Sequence, residues 1–135
     1  MAEETGQAPH ATQHALAARL VYRGDLGANR FDAAAGVAGD EAGWHTLPLD
    51  SAHGDDVAAG ASPMELLLVT LGGCIGMSVV PILRKIRQVV TAYDIRVTGE
   101  RSQGWPVVFT AITVEHRVTG RALDRGAIER AITLA

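Results

Sequence analysis

Cysteine occurs once in the 135 residues, at Cys74, so no disulfide framework can be drawn within the chain and nothing demands an oxidising compartment. Aromatic residues are scarce, at 4%, and no basic run is interleaved with them. With a formal charge of -3 and a pI near 5.9, the chain has no electrostatic footprint for nucleic acid. The first residues include Glu3 and Glu4 and lack an apolar signal core, so no secretion signal is read and the cytoplasm is the expected compartment. There is no Ser/His/Asp order, no phosphate-binding glycine loop and no metal-ligand cluster, so neither cofactor nor metal is expected. The chain is long enough for one domain with a real core and too short for two.

What is present is a run from Leu66 to Leu83 that carries no charge. About 20 apolar residues cross a bilayer, so a membrane span has to be argued against. The run has a helix start in front of it: Ser62 as cap, Pro63 at the first helical position, and Glu65 placed to close a capping box. Gly72, Gly73 and Gly76 thin one surface beside Cys74, which suits the approach of another backbone. The rest of the chain alternates like the strands of a soluble sheet. We therefore expect a buried central helix and no membrane partner. A helix apolar all the way round needs cover on every side, and the natural cover is a second copy of the chain.

Residues 1–15 read as a disordered arm. Within it His10 and His14 have helical ligand spacing, but a solvated tail explains them. A single domain is expected over residues 16–135. Leu16, Ala18, Leu20 and Tyr22 alternate with Ala17, Arg19, Val21 and Arg23, which predicts a strand. Gly24–Gly27 supplies a turn, a short strand is expected from Asn29 to Ala33, and the Ala/Gly-rich segment to Gly43 reads as loop. Trp44 to Leu49 reads as a third strand, kept at an edge by Pro48. Ser51 to Ala61 is a linker. Pro81 predicts a kink or break in the central helix, after which the helical pattern resumes through Leu83, Ile86, Val89 and Val90.

Tyr93, Ile95 and Val97 alternate with polar residues in a clear strand. After a turn at Ser102–Gly104, a strand is expected from Pro106 to Thr119 with Val108, Ile112, Val114 and Val118 inward. His116 falls on that set and reads as a satisfied core histidine. Asp124 reads as the N-cap of a helix carrying Ala127, Ile128, Ala131, Ile132 and Ala135 on one face. That helix ends mid-pattern, and the natural sequence is expected to continue past it.

By residue type, Cys74 is the candidate nucleophile. A thiolate is the attacking species, and it needs a nearby cation or helix N-terminus. Cys74 lies about three turns into its helix, too far for that helix's own N-terminus to help. The cation must come from elsewhere in the fold or from a partner chain. Arg23 and Arg30 are both possible sources, and the sequence does not choose between them. Glu65 could orient such an arginine, although the capping box also explains it.

The run Ser62-Pro63-Met64-Glu65-Leu66-Leu67-Leu68, with Leu71-Gly72-Gly73-Cys74 and Val79-Val80-Pro81-Ile82-Leu83-Arg84-Lys85, resembles the central helix of the OsmC/Ohr family of osmotically inducible and organic hydroperoxide resistance proteins. The likeness continues through Tyr93–Val97, Pro106–Thr110 and Val118–Asp124. The resemblance implies an α+β fold with small antiparallel sheets around the long helix, an interwoven homodimer, and the cysteine in a pocket at the subunit interface. It also implies a thiol-dependent peroxidase that reduces organic hydroperoxides, with Cys74 as nucleophile, an arginine of the early strand region, Arg30 or else Arg23, stabilising its thiolate, and Glu65 as candidate third member. Leu67, Leu71 and Met77 would line the peroxide pocket. In the hydroperoxide reductases a glutamate directly follows the motif proline, whereas Met64 does so here. The family's second cysteine belongs just beyond the helix that starts at Asp124, so an external thiol reductant is expected as partner. The alternative is a non-catalytic dimer of the same fold that binds a small apolar ligand or acts as a thiol sensor.

Overall fold

The computed structural model describes residues 15–23, 29–51 and 57–135, and it is α+β. The expected arm up to residue 14, the turn at 24–27 and the middle of the linker at 52–56 lie outside the described residues. The chain divides into two compact units between Ser62 and Pro63.

The first unit is a three-stranded antiparallel sheet, β1 (Leu16–Tyr22), β2 (Asn29–Val37) and β3 (His45–Ser51), in that order. β2 runs four residues past the expected Ala33. Alanine and glycine are poor strand formers, but β2 is the central strand, with Ala34 opposite both Arg19 and Thr46. Pairing on two sides carries the segment where intrinsic propensity does not. A 3-10 turn at Glu41–Gly43 follows, and the Trp44 indole N–H donates to the Val37 carbonyl at 2.8 Å. β3 is an edge strand, as Pro48 requires. One face of this sheet leaves Leu16, Leu20, Tyr22 and Val37 exposed.

The second unit holds α1 (Pro63–Lys85), β4 (Val89–Arg101), β5 (Phe109–Arg121) and α2 (Arg125–Leu134), with β4 and β5 forming a two-stranded antiparallel sheet. α1 begins at Pro63 as predicted and runs without a break through Pro81. Pro81 is exposed and has no N–H to give the Met77 carbonyl.

The helical pattern does not extend to Val89 and Val90, which open β4 instead. Arg87 adopts a left-handed conformation, φ 59. Its N–H bonds the Arg84 carbonyl and the Gln88 N–H bonds the Leu83 carbonyl, each at 3.0 Å. This is a Schellman stop, and it satisfies carbonyls that the last turn would otherwise leave unpaired. It usually takes glycine, and here it takes arginine.

Gly72 and Gly76 seat α1 on β4. A methyl added at Gly72 would sit 2.9 Å from Val97 Cγ2, and one at Gly76 would sit 2.8 Å from Ile95 Cδ1. A methyl at Gly73 would meet nothing within 4 Å. Below this seat Val79, Leu83 and Ala131 form the buried core, flanked by Ile75, Ile82, Val90, Tyr93, Val118, Ile128 and Ile132. Asp124 caps α2 as predicted, its side chain accepting from the Ala127 N–H at 3.1 Å.

The last strand starts at Phe109 rather than Pro106, because Ser102 closes the preceding loop: its N–H donates to the Val108 carbonyl and its hydroxyl accepts from the Val108 N–H. Val108 and Ile112 are exposed, whereas Val114 and Val118 are half-buried on the expected side. His116 is half-buried there too, and its Nδ1 lies 2.8 Å from the Tyr93 hydroxyl, a satisfied core histidine.

The central helix is not buried within the single chain. Gly72, Val79 and Leu83 are its buried residues, while Leu67, Val69, Met77 and Val80 stand exposed. The reason is geometric, since a two-stranded sheet and one short helix cover only one side of it.

Replacing Arg87 by glycine should stabilise the protein by about 1 kcal/mol, because a Cβ in the left-handed region costs about 1–2 kcal/mol. Urea unfolding of Arg87→Gly beside the wild type measures this; an unchanged or lower midpoint contradicts the Schellman assignment.

Candidate functional site

The seat on β4 sets the direction in which Cys74 points. Cys74 is two residues from Gly72 and two from Gly76, about 200° round the helix from each. It therefore lies on the face turned away from β4, and it is exposed. Leu67, Leu71 and Met77, at helical spacings of seven, three and three from it, share that face. The neighbouring hydroxyls are tied back into the helix: Thr70 donates to the Leu67 carbonyl and Ser78 to the Cys74 carbonyl, both at 3.0 Å. Among the described residues the Cys74 sulfur makes no hydrogen bond or ion pair.

Glu65 is on the other side. Nine residues separate it from Cys74, about 180° round the helix and about 13 Å along it. With Leu68, Val69, Gly72, Gly73, Ile95 and Val97 it lines an apolar cleft of about 450 Å³ between α1 and β4. The residues expected to line a peroxide pocket are not those of this cleft. One chain does not bring Glu65 and its own Cys74 together.

Both candidate arginines belong to the first unit, and they differ in how they are held. Arg23 pairs with Asp32 at 2.8 Å, and both side chains are largely exposed. Such a pair is worth about 0–1 kcal/mol and orients little. Arg30 sits directly across the ladder from Asp50 and donates through Nε to Asp50 Oδ2 at 3.1 Å. Asp50 is 5% exposed, and the same oxygen accepts from the Ala59 N–H at 2.8 Å. The Asp50 N–H in turn donates to the Ala61 carbonyl. Its carboxyl is held below the usual carboxylate range, first by the Ala59 N–H and then, against the opposing effect of burial, by Arg30. Sequence reasoning missed Asp50. The one available signal was an acidic residue directly after Leu47-Pro48-Leu49, and without the β2–β3 register nothing pointed it at Arg30.

Residues 53–135 match the family described as OsmC-like protein. The chain belongs to the OsmC-like family. It shares 39% identity over 97 residues with Protein YhfA of Escherichia coli K12, covering 72% of this chain and 70% of that protein. A crystal structure of a hypothetical protein from Aquifex aeolicus is 24% identical with a TM-score of 0.68, over 89% of this chain and 77% of that one. The OsmC-like protein from Mycoplasma pneumoniae is 16% identical with a TM-score of 0.65, over 93% and 81% of the two chains. At these identities the two structures establish the fold of this OsmC-like chain and nothing finer.

The lowered carboxyl of Asp50 has a stability consequence. Its folded pKa lies below the unfolded value, so its contribution is fully present above about pH 4 and is lost as pH falls through the folded value. Asp50→Asn should therefore flatten the acid limb of stability. Urea midpoints of the two proteins between about pH 2 and pH 5 test this, and parallel limbs would contradict it.

Proposed function

We propose that this OsmC-like chain is a thiol-dependent peroxidase that reduces organic hydroperoxides and works as a homodimer in the cytoplasm. The observation that carries the reading is the setting of Cys74: a solvent-accessible sulfur in the middle of an apolar helix face, beside Leu67, Leu71 and Met77. An alkyl hydroperoxide has an apolar body and a reactive O–O bond, and such a face suits both. The thiolate attacks the terminal oxygen, the O–O bond breaks, and the alkoxide leaves as alcohol after taking a proton; Cys74 becomes a sulfenic acid. A thiol from outside these 135 residues then forms a mixed disulfide with loss of water, and a second thiol releases Cys74.

Dimerisation is supported by what the single chain leaves open. The face of α1 around Cys74 and the Leu16, Leu20, Tyr22 and Val37 face of the first sheet are both apolar and uncovered. α1 is long and apolar enough to cross a bilayer. Against that role, its other face packs on a two-stranded sheet that has open edges and carries Asp94, Arg96, Glu115 and Arg117 on its exposed side. Hydrocarbon does not accommodate open strand edges. The second reading, a non-catalytic binder of small apolar ligands, is favoured by the cleft at Leu68, Val69, Ile95 and Val97, which Cys74 does not line.

Purified protein with cumene hydroperoxide and a dithiol reductant should consume peroxide, and Cys74→Ser should lower the rate by more than about 100-fold. Equal rates in the two proteins would leave the binding reading. In sedimentation velocity the wild type should run as a dimer. Met77→Asp should run as monomer, since burying an unpaired carboxylate costs about 3–5 kcal/mol. A Met77→Asp dimer as stable as the wild type would place the interface elsewhere.

A further inference from the structure

Positive charge collects in the second unit at the end of α1. Arg84 and Lys85 close the helix, Arg87 follows in the turn, and Arg121 stands directly across the ladder from Val89. All four are exposed, and among the described residues none of them forms an ion pair. The acids at this end are engaged: Asp124 accepts from the Ala127 N–H as cap of α2, and Glu129 pairs with Arg125 at 2.8 Å.

Beside these cations lies a pocket of about 300 Å³, lined by Val80, Leu83, Arg84, Gln88, Val89 and Val90. It is separate from the cleft at Glu65, and Cys74 does not line it. Four of its residues are apolar and the other two carry donors. Gln88 accepts the Asp124 N–H on Oε1 at 2.9 Å, so its amide NH2 is left outside that bond. Arg121 flanks the pocket, because residues directly opposite on an antiparallel pair share a face with their Cβ atoms about 5 Å apart.

Cations at a helix C-terminus ordinarily answer its dipole, and Arg84 and Lys85 do so. That explanation does not reach Arg121, which is on a strand, or Arg87. With φ 59, Arg87 sits where glycine is unstrained and a side chain is not. The Schellman stop needs this conformation but not a guanidinium, and a residue held against its backbone preference points to a use for its side chain. The same turn removes what would repel an anion. The Leu83 and Arg84 carbonyls, part of the negative end of the helix, are taken by the Gln88 and Arg87 N–H groups.

We propose that the pocket at the end of α1 binds a small amphipathic anion, a short alkyl chain carrying a phosphate group. The chain lies against Val80, Leu83, Val89 and Val90, and the phosphate is met by Arg84, Arg87 and Arg121. Phosphate is favoured over carboxylate because four such cations exceed what one carboxylate neutralises, and guanidinium forks match phosphate oxygens. The site is independent of the thiol chemistry proposed above.

Isothermal titration calorimetry of the full chain with hexyl phosphate tests this, beside inorganic phosphate, hexanol and hexanoate. Hexyl phosphate should bind once per chain, and each of the other three at least about tenfold more weakly, since each lacks part of what the pocket recognises. Arg84→Ala and Arg121→Ala should each weaken hexyl phosphate by about tenfold or more, the loss of a charge-assisted hydrogen bond. Arg87→Gly should unfold at a higher urea concentration than the wild type and still bind about tenfold more weakly, a result that poor folding cannot imitate. Arg101→Ala removes a cation at the far end of β4, about 40 Å away at the rise of a strand, and should change nothing.

Absence of saturable hexyl phosphate binding overturns the proposal, and so does wild-type affinity in Arg84→Ala or Arg87→Gly. An equal loss in Arg101→Ala would reduce the binding to general charge attraction and overturn it too. Inorganic phosphate binding as tightly as hexyl phosphate would remove the apolar half of the site, and hexanoate doing so would remove the assignment of the head group.

Discussion

Everything in the second unit follows from how closely α1 can approach β4. Two hydrogens where side chains would otherwise stand, at Gly72 and Gly76, let the helix rest on Val97 and Ile95. Once that contact exists the rotation of the helix about its own axis is settled, because a residue two places from both glycines points about 200° away. Cys74 faces outward for that reason. Glu65, nine places earlier, faces the cleft for the same reason. Any account in which one chain joins this carboxylate to this sulfur has to break the helix between them.

The same contact leaves the molecule short of cover. Val79, Leu83 and Ala131 are buried in the second unit and Leu49 in the first, a small set among the described residues, while apolar side chains on α1 and on the first sheet stand in water. Burying such side chains yields about 1.5–3 kcal/mol each, so the uncovered faces are the largest unused source of stability in the chain. Burial of the helix is not supplied by the single chain.

Electrostatics in the first unit are arranged around one buried carboxylate. Asp50 has two donors on one oxygen, one from backbone and one from Arg30, and it bonds through its own N–H to the Ala61 carbonyl. It thereby links β3, the central strand and the segment that returns before Ser62. Exposed pairs such as Arg23 with Asp32 have comparable distances but little constraint, since solvent competes for both partners. The N···O distance alone does not distinguish the two arginines; burial of the partner does.

Local chemistry made much of the fold legible. The start of α1 at Pro63, the alternation of Tyr93, Ile95 and Val97, the edge position of Pro48 and the cap at Asp124 are each decided by a few neighbouring residues, and those elements stand where expected. The differences came where distant partners outvote local preference, or where one residue takes a backbone conformation its type disfavours. β2 continues through alanines because strands flank it on both sides, and α1 stops at Arg87 because a left-handed residue lets Gln88 turn back on Leu83. The presence of a single cysteine in an apolar helix, and the family to which that helix belongs, were determined by the sequence alone. The face on which the sulfur lies and the pairing of Arg30 with Asp50 were decided by tertiary structure. They depend on helix rotation and strand register, and both are set by contacts between residues far apart in the chain.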